Sequence, residues 1–127
     1  MTFYDPEIQP EPKMWLSLSE QERLRVATTF HARLKLPPKR LKAHSAMHSI
    51  VETQIATAFG PAVKALRTLL SNGLSRHDAL HEIGIKLVEY YNDPRLSQGQ
   101  SGAKDAQVEL NLGLERLAVN TSPTAKD

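Results

Sequence analysis

A chain of 127 residues with 40% hydrophobic residues and a net charge of +2 is sized for one domain around one core. The absence of cysteine excludes disulfides, thiolate metal sites and thiol nucleophiles. With three Phe, three Tyr and one Trp, the core must be mainly aliphatic.

Residues 1–16 hold Pro6, Pro10 and Pro12 without periodicity and read as an extended arm, which Met14 and Trp15 would pin to the body. No basic stretch followed by an apolar run is present there, so a secretory signal is not expected. No segment reaches the roughly 20 apolar residues of a membrane span. A cytoplasmic protein without membrane contact is the expectation. Ser19 and Glu22 form a capping box and predict a helix over residues 20–34. Leu24, Ala27, Phe30, His31 and Leu34 fall near one face of it, where His31 reads as an ordinary core histidine. Pro37-Pro38 ends this helix, since neither residue can donate to the ladder.

A second helix is predicted over residues 39–58, with Leu41, His44, Met47, His48, Val51 and Ile55 as its inner stripe. Gly60-Pro61 breaks it, and a third helix over residues 62–71 closes at Asn72-Gly73. Ser75 and Asp78 cap a fourth, residues 76–91, whose inner face carries His77, Leu80, His81, Gly84, Leu87, Val88 and Tyr91. Residues 94–102 are rich in Gly, Ser and Gln and read as a flexible linker between the core, residues 17–93, and a last helix over residues 103–119. Residues 120–127 are expected to be disordered. The fold class is all-α: a small bundle of four to five helices with an extended N-terminal arm.

Two of these helices carry histidines one turn apart, His44 with His48 and His77 with His81, and Glu52 follows the first pair by one more turn. Residues four apart share a helix face, so each segment aims its ligands one way. Short turns make the second and fourth helices parallel, with both pairs in their first halves. At axis separations of roughly 8–10 Å, imidazoles from the two sides reach a common ion. Gly84, inside the inner stripe, marks a close approach: room for an ion, or tight helix packing, which is the commoner reason. Four imidazoles and a carboxylate suit zinc, iron, copper, nickel or manganese rather than calcium or magnesium. If the ion is catalytic, Glu52 is a ligand or a base. Gln54, Asp78 and Glu82 are candidates for orienting the ligands from behind. The competing reading makes the histidines a structural polar network.

Charge is unevenly placed. Residues 23–42 hold seven Lys or Arg and no acid. Arg33, Lys35, Lys39, Arg40 and Lys42 could meet nucleic acid or an acidic partner, which would make the chain a regulatory binding module. A solvated face is the commoner meaning of such a run. The last helix, apolar on one side, could pair with a second copy to give a homo-oligomer.

The stretch HSAMHSIVETQIA, followed by LRTLLSNGLSRHDALHEIG, resembles a family of small bacterial helical proteins of unknown function. The shared pattern is H-x3-H, a carboxylate one turn on followed by x-Gln, and a second H-x3-H about thirty residues later. His44, His48, Glu52, Gln54, His77 and His81 match it across residues 39–90. Family members carry Asn-Pro ahead of the first pair, where this chain has Pro-Pro-Lys-Arg-Leu-Lys. The resemblance implies a site at these positions and no particular substrate.

Overall fold

In the computed structural model, residues 1 and 3–120 are described, and they contain six α-helices and no strand: α1 (Pro12–Ser17), α2 (Glu20–Ala32), α3 (Pro38–Ala56), α4 (Gly60–Ser71), α5 (Arg76–Tyr91) and α6 (Gly99–Asn120). A 3-10 turn, Pro94–Ser97, joins α5 to α6. Of residues 120–127, expected to be disordered, Asn120 ends α6 and 121–127 lie outside the described residues. Among the described residues no helix is long and apolar enough to cross a membrane.

Local chemistry starts α2 and α5 at the expected caps. The Ser19 hydroxyl accepts from Glu22 N, and the Glu22 carboxylate accepts from Ser19 N. Ser75 accepts from Asp78 N at the start of α5. Prolines occupy the first turns of α3 and α4. Gly73, at φ +96°, turns the chain between α4 and α5 in a conformation that L side chains rarely adopt.

The main core joins α3, α4, α5 and α6 through Val51, Ile55, Leu66, Leu69, Leu80, Ile83, Leu87, Leu110 and Leu114 among others. Gly84 lets α5 approach α3 closely: a Cβ there would stand 2.5 Å from Met47 Cγ and Sδ and 3.2 Å from Val51 Cγ2. Helix packing is therefore what this glycine serves. A second apolar cluster joins Tyr4, Trp15, Val26 and Ala27, with Phe30 against it.

Several expectations are corrected. The arm is not extended throughout: it carries α1, which opens with the Glu11 carboxylate accepting from Met14 N. Trp15 is fully buried and its indole donates to Thr53 Oγ1, whereas Met14 is half exposed. Arg23, read as part of a basic strip, donates to the carbonyls of Trp15 and Leu16 and fixes the arm on α2. Residues 94–102 are not a loose linker either. Asp93 caps the 3-10 turn and binds the Arg95 guanidinium, which also contacts Glu109. Gly102 lies so close to the Arg95 carbonyl that a Cβ would be 2.5 Å from it, and α6 starts at Gly99 instead of 103. The apolar face of α6 is covered by its own chain, with Leu110, Leu114 and Leu117 in the main core. Finally, Leu34, Val88 and Tyr91 point outward rather than into the core: α2 ends at Ala32, and the last turns of α5 turn Leu87 and Tyr90 to the core instead.

Candidate metal centre

Five histidines converge. His31 from α2, His44 and His48 from α3, and His77 and His81 from α5 each offer a ring nitrogen, and these five atoms all lie within 4.8 Å of one another. The group could hold a metal ion. The two pairs found in the sequence do meet. Ring centroids are 4.2 Å apart for His44–His81 and 6.4 Å for His44–His77.

His31 supplies the fifth nitrogen. Its Nδ1 lies 2.7 Å from the carbonyl of Ala27, an acceptor only, so Nδ1 carries the proton and Nε2 a lone pair. That Nε2 is buried and has no hydrogen-bond partner, and the same holds for Nε2 of His77. His48 is fully buried, with Nε2 3.1 Å from Nε2 of His81.

Burial favours the neutral form of His31, His44, His48 and His81. Burial first, then the neighbouring histidines, push His48 down to about 2. His81 falls to about 4 for the same reasons, against the opposing charge of Asp78. Burial also lowers His31, although its bond to Ala27 works the other way, and lowers His44, with His77 and Arg40 adding to the effect. Neutral imidazole is the form that binds metal.

Glu52 stands elsewhere. Arg76 donates to both of its oxygens, each at 2.8 Å, in a buried bidentate pair. The Tyr4 hydroxyl lies 2.6 Å from Glu52 Oε2 and 2.9 Å from His48 Nδ1. The carboxylate predicted as a ligand thus sits behind His48, one hydroxyl removed from it. Arg76 also donates to the Pro6 carbonyl and so ties the arm to α5. Burial lowers the Arg76 guanidinium, but the hydrogen bonds and charge of Glu52 outweigh it and the net shift is upward. Burial and then the Glu52 carboxylate raise Tyr4 far above its usual range, which keeps it a phenol.

The residues expected behind the ligands are placed as follows. Gln54 turns away and donates to the Tyr91 hydroxyl at the surface. Asp78 is exposed and reaches His81 through its charge. Glu82 is half-buried on α5 and outside the group of five. Arg33, Lys35, Lys39, Arg40 and Lys42 are all exposed, in the α2–α3 turn and the first turns of α3. The guanidinium of Arg33 lies over the Phe3 ring.

Sequence reasoning missed His31, Tyr4 and Arg76. His31 had a signal, its place on the inner stripe of α2 beside Ala27. Arg76, directly before His77, had a weaker one. Tyr4, in an aperiodic proline-rich stretch, had none. No family model, curated protein or solved structure matches this chain.

Proposed function

We propose that this protein binds one first-row transition-metal ion through His31, His44, His48, His77 and His81. The observation that carries the reading is the convergence of five imidazoles, two of them with a buried, unpartnered Nε2. A buried polar atom left without a partner costs about 1–3 kcal/mol, and five rings packed edge to face or tilted gain little that aliphatic side chains would not supply better. A bound cation accounts for both features. Two imidazole nitrogens side by side on one ion at about 2.1 Å stand about 3.0–3.4 Å apart. The 3.1 Å between the Nε2 atoms of His48 and His81 falls in that range.

An all-imidazole donor set suits zinc, copper, nickel or iron and gives manganese less than a carboxylate would. In six-coordination five nitrogens leave one position, where an ion can lower the pKa of a bound water. The chain's own residues hold and orient the ion; Glu52, with both oxygens engaged, is not available as a base. The reading is therefore a metal-binding helical protein.

Metal analysis of tag-free protein, purified without chelator, tests this together with thermal melts in the presence of zinc, copper, nickel, iron or manganese. Close to one ion per chain and a raised melting temperature are expected. No retained metal and no shift with any of the five would overturn it.

A further inference from the structure

We infer that Tyr4 is a positioning residue of this centre: its hydroxyl, held by the Glu52–Arg76 pair, fixes His48 in the tautomer that turns a lone pair on Nε2 toward the other imidazoles. The inference rests on the metal-binding reading. Tyr4 has one proton to give and two neighbours within reach, Glu52 Oε2 at 2.6 Å and His48 Nδ1 at 2.9 Å. Arg76 donates to both carboxylate oxygens, so Glu52 acts here only as an acceptor. The Tyr4 proton therefore points to the carboxylate oxygen, the acceptor at the shorter distance. The alternative would set a phenol lone pair against a carboxylate lone pair at 2.6 Å, with no proton between them.

The Tyr4 oxygen is then free only to accept, and His48 Nδ1 must donate to it. Nε2 is left with its lone pair, facing His81 Nε2. This is the arrangement of a ligating histidine whose second nitrogen is anchored through a hydrogen bond to a carboxylate, here with a phenol in between. The anchor comes from the N-terminal segment. Arg76 donates to the Pro6 carbonyl, and the Glu7 carboxylate accepts from His77 N at 3.3 Å. Tyr4 itself is held by Trp15 and Phe30, with ring centroids 5.8 and 6.3 Å away. Removal of the hydroxyl leaves that ring packing in place.

The test uses the full chain and Tyr4→Phe. In the metal-free unaltered protein, nitrogen-15 NMR of the His48 ring is expected to show the proton on Nδ1. In Tyr4→Phe that single tautomer is lost, and zinc affinity, measured against a competing chelator, falls about 10–100-fold. A proton on Nε2 of His48 in the unaltered protein overturns the inference even if Tyr4→Phe does not fold. So does zinc affinity equal in the two proteins, and either result leaves metal binding standing. Failure of the unaltered protein to bind zinc, copper, nickel, iron or manganese overturns the metal reading and this inference with it.

Discussion

Nε2 of His48 and Nε2 of His81 lie 3.1 Å apart on helices whose sequences are separated by 33 positions. Two neutral rings this close either share one proton or present two lone pairs to one ion. Replacing any one of the five histidines by Ala separates these cases. Each replacement, His31→Ala included, is expected to weaken zinc by about 10-fold or more, since loss of a ligand costs at least as much as loss of a residue that orients one. Gln54→Ala, at the surface beside Tyr91, should leave affinity unchanged. Chelator competition reads both.

Stability of the metal-free protein should depend on pH through the same rings. His81 sits near 4 and His48 near 2 in the folded chain, against about 6.5 when unfolded. Between those values the unfolded chain takes up protons that the folded one refuses, so stability is complete above about pH 6.5 and declines as pH falls toward 4 and below. Urea denaturation of chelator-treated protein at pH 7.5 and 5.0 should show the lower midpoint at pH 5.0. Equal midpoints would contradict the burial of neutral imidazoles.

Arg76→Ala leaves the Glu52 carboxylate buried and unpaired. Breaking such a pair from one side costs about 3–5 kcal/mol, far more than loss of a surface ion pair. Chemical denaturation should show that loss. Lys86→Ala, which removes an exposed pair with Glu89, should cost under about 1 kcal/mol.

Gly84→Val would drive a branched side chain into Met47 and Val51. Overpacking of this kind costs about 1–3 kcal/mol, outweighing any gain in helix propensity. Because α3 and α5 carry four of the five histidines, the same substitution should also weaken zinc. Thermal melts and chelator competition together check both effects.

The helices were legible wherever a local signal set them: the Ser19–Glu22 box, the Ser75 cap, Pro37-Pro38, Gly60-Pro61 and Asn72-Gly73 each fall at a boundary. The meeting of His44 and His48 with His77 and His81 was legible too, from i,i+4 spacing and short connections. Other features depend on contacts across the fold. Glu52 has the spacing of a ligand, but a buried arginine 24 residues later takes both of its oxygens. α1 is six residues long and stands because Trp15 is buried against α3, not through propensity. Residues 94–102 have the composition of a linker, and Gly102 instead serves close contact with the Arg95 carbonyl.

Anomalous diffraction from zinc-loaded crystals, collected on both sides of the zinc absorption edge, addresses the central claim most directly. One strong peak is expected among the rings of His31, His44, His48, His77 and His81, with Glu52 still on Arg76. Zinc bound only at surface carboxylates, with no density among the five rings, would contradict it.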